Sequence, residues 1–323
     1  MQKANFEPII ASDGAALLLL QKEFPRVKSY TLPSYAIRYS KDKKFFKWTL
    51  LLKFPKIFLA VKKEKKVIEK IVAQEGISGI ISDNRFGCYH KKIPSVYITH
   101  QLIVLSGNTT FFTSKGHQYF IEKFNECWVP DLSNNCFSGF LSKLESSTIN
   151  VKFIGIQSRF TFQKLKKKYD LLVLLSGPEP QRTILEKKVL KELKSFTGNV
   201  FFVRGCLDTN VEIKASKNIN IVNYLLADGL EQVINESELV LARSGYSTIM
   251  DLAATGKKAF FIPTPGQAEQ EYLAKRMDEH MVAPFANQEE FTIEHLKKVN
   301  NYKGFKKETI SINLKLLELF QSE

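Results

Sequence analysis

Short continuous apolar runs alternate with amphipathic stretches along most of the chain. In the C-terminal half the runs are Asp170–Leu175, Val200–Val203, Ile219–Val222, Leu239–Ala242 and Ala259–Ile262. Runs without polar alternation are what parallel strands buried on both faces require, and the helical stretches between them supply the crossovers. The N-terminal half repeats the pattern less cleanly. Strands are expected at Phe6–Ala11, Val27–Leu32, Gly79–Asp83, Ser95–Thr99 and Glu126–Val129, with a helix over Asp13–Phe24. Long helical stretches are expected between Lys43 and Gln74, broken at Pro55. The last stretch, Lys306–Ser322, carries Ile310, Leu314, Leu317 and Phe320 in one stripe, which suits a helix packing back on the N-terminal domain. The pattern predicts an α/β fold of two doubly wound, Rossmann-like domains. Their expected limits are 1–150 and 169–305, with a linker over 151–168 and the closing helix over 306–323.

A chain of 323 residues is enough for two domains of about 150 residues each. At 44% hydrophobic and 25% charged residues it is ordinary globular material, which excludes disorder, fibrous repeats and a disulfide-stapled scaffold. No apolar run reaches the ~20 residues of a spanning helix. The longest, near Trp48–Val61, is interrupted by Lys53, Pro55 and Lys56. The first residues, Met1–Phe6, show no leader-like apolar run and are expected to lead directly into a strand. Cys88, Cys127, Cys136 and Cys206 have no metal-like spacing, which fits reduced thiols in a cytoplasm. The net charge of +14 is uneven: residues 1–150 carry 22 basic against 12 acidic groups. Between Arg38 and Lys66 there are 11 basic residues against Asp42 and Glu64, interleaved with Phe45, Phe46, Trp48, Phe54, Ile57, Phe58 and Leu59. Such a mixture reads as a surface resting on an anionic membrane through 38–66. A buried helix whose lysines reach out to solvent gives the same composition. No nucleic-acid motif accompanies the charge, so nucleic acid is not expected as a partner.

In doubly wound sheets ligands gather at the carboxyl ends of the strands, so the residues after each strand carry the chemistry. Asp170–Leu175 is followed by Ser176-Gly177-Pro178-Glu179 and a helix starting near Glu179. A small-residue turn feeding a helix N-terminus suits a phosphate, although a tight turn alone also asks for Gly there. Leu239–Ala242 is followed by Arg243-Ser244-Gly245, with Ser244 a candidate helix cap and Gly245 leaving room for a diphosphate. Asp251, seven residues after Ser244, lies two turns down the same helical face and is placed to accept ribose hydroxyls; a solvated helix residue is the alternative. The third loop, Thr264-Pro265-Gly266-Gln267-Ala268-Glu269-Gln270-Glu271, clusters side chains suited to sugar hydroxyls, or simply an acidic first helical turn.

The sequence of strand, Arg-Ser-Gly, helix with an acidic residue at this offset, strand, Pro and a Glu-Gln loop resembles the C-terminal domain of glycosyltransferase family 28. That family includes the lipid II-forming N-acetylglucosaminyltransferase of peptidoglycan synthesis. The resemblance covers about 165–285 and implies a GT-B architecture, with a nucleotide-sugar donor held by the C-terminal domain and the acceptor by the N-terminal one. It implies that Ser176, Gly177, Arg243, Ser244 and Gly245 lie by the donor diphosphate and Asp251 by the ribose. It also implies that Glu269 and Gln270 read the donor sugar and that Asn223, Tyr224 and Leu225 face the base. Glu271 stands where the peptidoglycan enzyme has a second glutamine. The N-terminal resemblance is looser and rests on Ile81-Ser82-Asp83-Asn84-Arg85-Phe86-Gly87 and Ile98-Thr99-His100-Gln101. Both are expected at strand ends on the catalytic cleft, although a polar turn and a capping histidine would look alike in sequence.

The family opens with a strand, a Gly-rich loop ending in Gly-His, and a helix. This chain is expected to lack that first βα unit, either because about 35 residues precede it or because it is a truncated relative. The resemblance implies an inverting glycosyltransferase using a UDP-sugar as donor substrate, with no metal and no other cofactor. The acceptor is then lipid-linked or part of the envelope, and the protein is cytoplasmic, resting on the inner face of the membrane. Asp83 or His100 is the candidate base. A nucleotide-sugar epimerase of the same fold, or a non-catalytic relative that binds nucleotide sugar or membrane, remains as the alternative.

Overall fold

The computed structural model describes residues 5–35, 46–134, 136–143, 148–207, 217–308 and 314–321. The chain divides into two units, one of Met1–Gly155 with Ser311–Glu323 and one of Ile156–Ile310.

The first unit opens with β1 (Ile10–Ser12), α1 (Gly14–Glu23) and β2 (Ser29–Thr31), and β1 and β2 pair in parallel. These strands are shorter than their apolar runs suggest. Next, α2 runs unbroken over Phe46–Glu75, through Pro55 rather than stopping there. A missing amide hydrogen removes one rung of the helical ladder, and a helix of this length retains the others. The parallel strands β3 (Ile80–Asp83), β4 (Ser95–Ile98), β5 (Glu126–Val129) and β6 (Val151–Phe153) follow, with α3 (Thr110–Ile121) between β4 and β5. Successive strand residues point to opposite faces, which is why these runs are continuously apolar. Tyr97, Cys127 and Val129 pack with Leu102, Ile121 and Phe124. On the other face Val96 and Trp128 pack with Ile154, Leu317 and Phe320. The final segment therefore belongs to this unit's core. It is a short 3₁₀ helix over Leu314–Phe320, and the expected helix does not begin at Lys306. Residues 306–308 have no regular secondary structure, with the Glu308 amide bonded to Ala253 O; part of the expected helix, 309–313, lies outside the described residues. Residues 151–153, within the expected linker, form β6 on β5.

The second unit contains β7 (Tyr169–Leu174), α4 (Gln181–Glu192), β8 (Val200–Val203), β9 (Ile219–Val222) and α5 (Ala227–Glu236), then β10 (Ser237–Ala242), α6 (Tyr246–Thr255), β11 (Lys258–Phe261) and α7 (Ala268–Glu279). All five strands are parallel, in the order β11-β10-β7-β8-β9. Leu171, Val173, Phe202, Leu241 and Phe260 form one core face with Leu185 and Val189 of α4 and with Phe291. Leu172, Val240 and Phe261 alternate with them and are equally buried.

Candidate functional site

The order of the second sheet fixes where a ligand can sit. From β7 the chain moves outward through β8 and β9, then returns to place β10 and β11 on the other side of β7. The β7 and β10 connections thus depart in opposite directions from two adjacent carboxyl ends, paired at Leu174 and Ala242. This is the switch point at which doubly wound sheets bind ligands. Ser176 and Gly177 follow β7, Arg243, Ser244 and Gly245 follow β10, the loop from Thr264 to Glu271 follows β11, and Asn223, Tyr224 and Leu225 follow β9. The second unit therefore collects these expected residues along one edge of one sheet.

Two glycines border open space there. Gly177 has φ +103°, a conformation closed to other residues without strain, and a Cβ on it would meet only Thr264 Oγ1 at 4.0 Å. A Cβ on Gly245 would meet only Thr248 Oγ1 at 3.9 Å. Gly245, not Ser244, is the cap of α6, and a glycine brings no side chain of its own to that helix end. A helix N-terminus at the carboxyl end of a strand is a place suited to an anion. Ser244 is buried, and its hydroxyl donates to Gln270 O at 2.8 Å, joining the β10 turn to α7.

Arg243 departs from expectation. Its side chain is the largest fully buried one among the described residues, at 1% exposure. Nη1 donates to Ile262 O (3.1 Å) and Pro263 O (3.0 Å), and Nη2 to Gln181 O (3.0 Å) and Gln288 Oε1 (2.6 Å). With all four Nη hydrogens occupied, the guanidinium fixes the ends of β10 and β11 against the start of α4 instead of reaching a diphosphate. Burial lowers its pKa to about 10. Gln288, which completes this clasp and bonds Gln181 in turn at 3.1 Å, lies 45 residues from Arg243 with no motif to mark it.

In the β11 loop the Gln270 side-chain oxygen accepts from the Thr264 amide at 2.9 Å, and Glu271 Oε1 accepts from the Gly266 amide at 2.9 Å. Both side chains hold the loop, and the NH₂ end of Gln270 is left to donate. Glu269 lies in the first turn of α7. Asp251 is half-buried on α6 and accepts from Ser158 Oγ at 2.6 Å. Burial raises its carboxyl to about 6, against the opposing pull of the Ser158 hydrogen bond and the Arg159 charge. Asn223 is held by Arg204, whose Nη1 donates to its side-chain oxygen at 2.8 Å, and Arg204 in turn bonds the buried Glu186. Leu225 packs against Gly229, and Tyr224 is half-buried beside it. Gly205 escapes sequence reading altogether. At φ +72°, a Cβ on it would stand 2.3 Å from Leu175 O, so only glycine lets the β8 turn approach the Ser176 turn.

In the first unit Asp83 and His100 meet at the carboxyl ends of β3 and β4. Asp83 is in register with Ile98, and the Asn84 amide bonds Ile98 O at 3.2 Å. Burial by its surroundings raises the Asp83 carboxyl above its usual range while its side chain stays accessible; the His100 charge pulls it back. Arg85, two residues on, is pinned between Glu64, Asp13 and Pro33 O. Phe86 stacks on Tyr97 and Phe120. The loop is thereby anchored on both sides of the carboxylate. Behind it, His117 has burial lowering its pKa to about 4.

Of the expected membrane segment 38–66, residues 38–45 lie outside the described ones. Further along, Phe58 and Leu59 are exposed beside Lys62, whose ammonium lies 4.8 Å over the Phe58 ring. Phe111 and Phe112 at the start of α3, not singled out by the sequence, are 65% and 73% exposed. Among the described residues no helix is long and apolar enough to cross a membrane, and no three His, Cys, Asp or Glu side chains gather as a cation site.

Residues 180–309 match the glycosyltransferase family 28 C-terminal domain. The UDP-N-acetylglucosamine--N-acetylmuramyl-(pentapeptide) pyrophosphoryl-undecaprenol N-acetylglucosamine transferase of Haemophilus ducreyi is 28% identical over 145 residues, 43% of this chain and 40% of that protein's length. Its counterpart in Actinobacillus pleuropneumoniae serotype 5b is 26% identical over 258 residues, 77% of this chain and 69% of the relative. Among solved structures, MurG of Acinetobacter baumannii superposes with a TM-score of 0.56 at 13% identity, covering 99% of this chain and 92% of its own. The chain is therefore a GT-B protein related to the family 28 glycosyltransferases, whose C-terminal domain it carries.

Proposed function

We propose that the chain is an inverting, metal-independent glycosyltransferase. It moves N-acetylglucosamine or a hexose from a UDP-sugar to a lipid-linked or envelope acceptor at the inner face of the membrane. The observation that carries the reading is the pair of bare turns at the switch point, Gly245 within the matched residues 180–309 and Gly177 just ahead of them. The diphosphate rests on these turns and the N-terminus of α6, Asp251 takes the ribose hydroxyls, Asn223–Leu225 face the base, and Glu269 and the Gln270 amide take the sugar. In the transfer the acceptor oxygen bonds the anomeric carbon as the bond to the β-phosphate oxygen breaks. UDP leaves with the electron pair, and the acceptor proton passes to Asp83 or His100. Helix N-termini facing the leaving group stabilise its growing charge. The exposed Phe58 and Leu59, set among Lys62, Lys63 and Lys66, support docking on an anionic membrane.

The test is calorimetric titration with UDP and UDP-N-acetylglucosamine, followed by UDP release with and without a lipid-linked acceptor. Micromolar binding with acceptor-dependent release is expected. Donor turnover that ignores the acceptor would point to epimerase or hydrolase chemistry, and no binding by the folded protein would sink the donor site.

A further inference from the structure

The turn after β11 carries a side chain without a part in this scheme. Both backbone groups of Thr264 are satisfied: its N–H donates to Gln270 Oε1 at 2.9 Å, and its carbonyl accepts from Gln267 N at 3.1 Å. Its hydroxyl is not. Thr264 Oγ1 is buried and has no hydrogen-bond partner among the described residues. Leaving such a group unpaired is costly, and valine would fill the same volume without that penalty.

What faces the hydroxyl is the bare turn at Gly177. A Cβ there would lie 4.0 Å from Thr264 Oγ1 and meet nothing else within 4 Å, and φ +103° already excludes ordinary side chains. The two positions sit on the strands that flank β10, so the hydroxyl and the glycine confront each other across the switch point. A second buried donor without a partner, Arg243 Nε, belongs to the guanidinium that holds Ile262 O and Pro263 O directly ahead of Thr264. That guanidinium fixes the backbone that carries Thr264, and the hydroxyl is the group that borders the Gly177 turn. A phosphate at the Gly177 turn would supply acceptor oxygens to which the hydroxyl can donate.

We propose that Thr264 is a ligand-binding residue whose hydroxyl donates to a phosphate oxygen of the nucleoside diphosphate seated at the Gly177 turn. This rests on the donor-site reading above and adds a residue to it.

The experiment compares Thr264→Val, Thr264→Ala and Thr264→Ser with the native chain by calorimetric titration of UDP, each variant's thermal midpoint being recorded without ligand. Loss of one hydrogen bond to a charged group predicts UDP binding about tenfold weaker in T264V and T264A. T264S, which keeps the hydroxyl, is expected within about twofold of native. The unliganded midpoint of T264V should be unchanged or higher, because an unpaired hydroxyl has been removed. Native-like UDP binding by T264V and T264A, while Asp251→Asn loses it, would overturn the proposal and leave the donor site standing. A T264S as weak as T264V would assign the effect to the methyl group and overturn it as well. Absence of UDP binding by the native chain would remove both readings together.

Discussion

Asp251→Asn separates a residue kept for a ligand from one kept for the fold. The Asp251 carboxyl is raised from 3.8 to about 6, chiefly by burial. A group whose folded pKa lies above its unfolded one favours folding at low pH, and that contribution is lost as pH rises through the folded value. Holding Asp251 ionised therefore opposes folding by about 1.5 kcal/mol at pH 5 and about 3 kcal/mol at pH 8, where the charge is fully developed. Asparagine keeps the oxygen that accepts from Ser158 Oγ and carries no charge to desolvate. Urea unfolding followed by a probe in the second unit should show D251N more stable than native, by a margin that widens by about 1.4 kcal/mol between pH 5 and pH 8. The comparison is a difference between two chains, so every other titrating group cancels. Binding should move the opposite way. UDP-N-acetylglucosamine has only diester phosphates and does not titrate in this range, so its affinity for the native chain should fall as pH drops below about 6. D251N should bind about tenfold or more weakly at every pH, for want of a charged acceptor. A stability margin that stays flat from pH 5 to pH 8, or a D251N that binds the donor like the native chain, refutes the assignment.

The bare turns make a paired prediction: Gly245→Val enters open space and should leave the thermal midpoint within a few degrees while abolishing UDP binding in titration. Gly205→Ala, by contrast, drives a Cβ to 2.3 Å from Leu175 O and should destabilise the second unit by about 2 kcal/mol or more in urea. Arg243→Met strands four buried oxygen acceptors, so a stability loss of about 3 kcal/mol or more is expected without any ligand present. A normally stable R243M defective only in UDP binding would restore the diphosphate role. Asp83→Asn and His100→Ala should bind the donor normally; whichever residue is the base should lose about 10²–10⁴ in acceptor-dependent UDP release. Replacing Phe111 and Phe112 with serine should weaken sedimentation with anionic vesicles and leave donor titration unchanged; full retention would move the membrane contact elsewhere.

The residues differ in how far sequence alone discloses them, and the reason is physical. Strand β8 and the core of β7, β10 and β11 were legible because burial on both faces leaves no polar alternation: Leu171 to Val173 are all buried, and sequence shows that directly. The turns at Gly177 and Gly245 were legible because glycine at a strand end is a local property. Which of Ser244 and Gly245 caps α6 was not, because the cap depends on where the Ser244 hydroxyl finds an acceptor, and that acceptor is Gln270 O, 26 residues away. Pro55 misled for the same kind of reason, since a local cost decides nothing within thirty helical residues. Arg243 shows the limit most clearly. An arginine after a strand, beside Ser-Gly, has the composition of an anion site, and sequence reports its charge without its surroundings. Its partners are three backbone carbonyls and Gln288, and backbone oxygens have no sequence identity to read. The charge that best suited a phosphate in the sequence is thus a clasp on the strand ends. Under the proposed donor site, anion binding falls to groups that carry no formal charge, the N-terminus of α6 at Gly245 and the hydroxyl of Thr264.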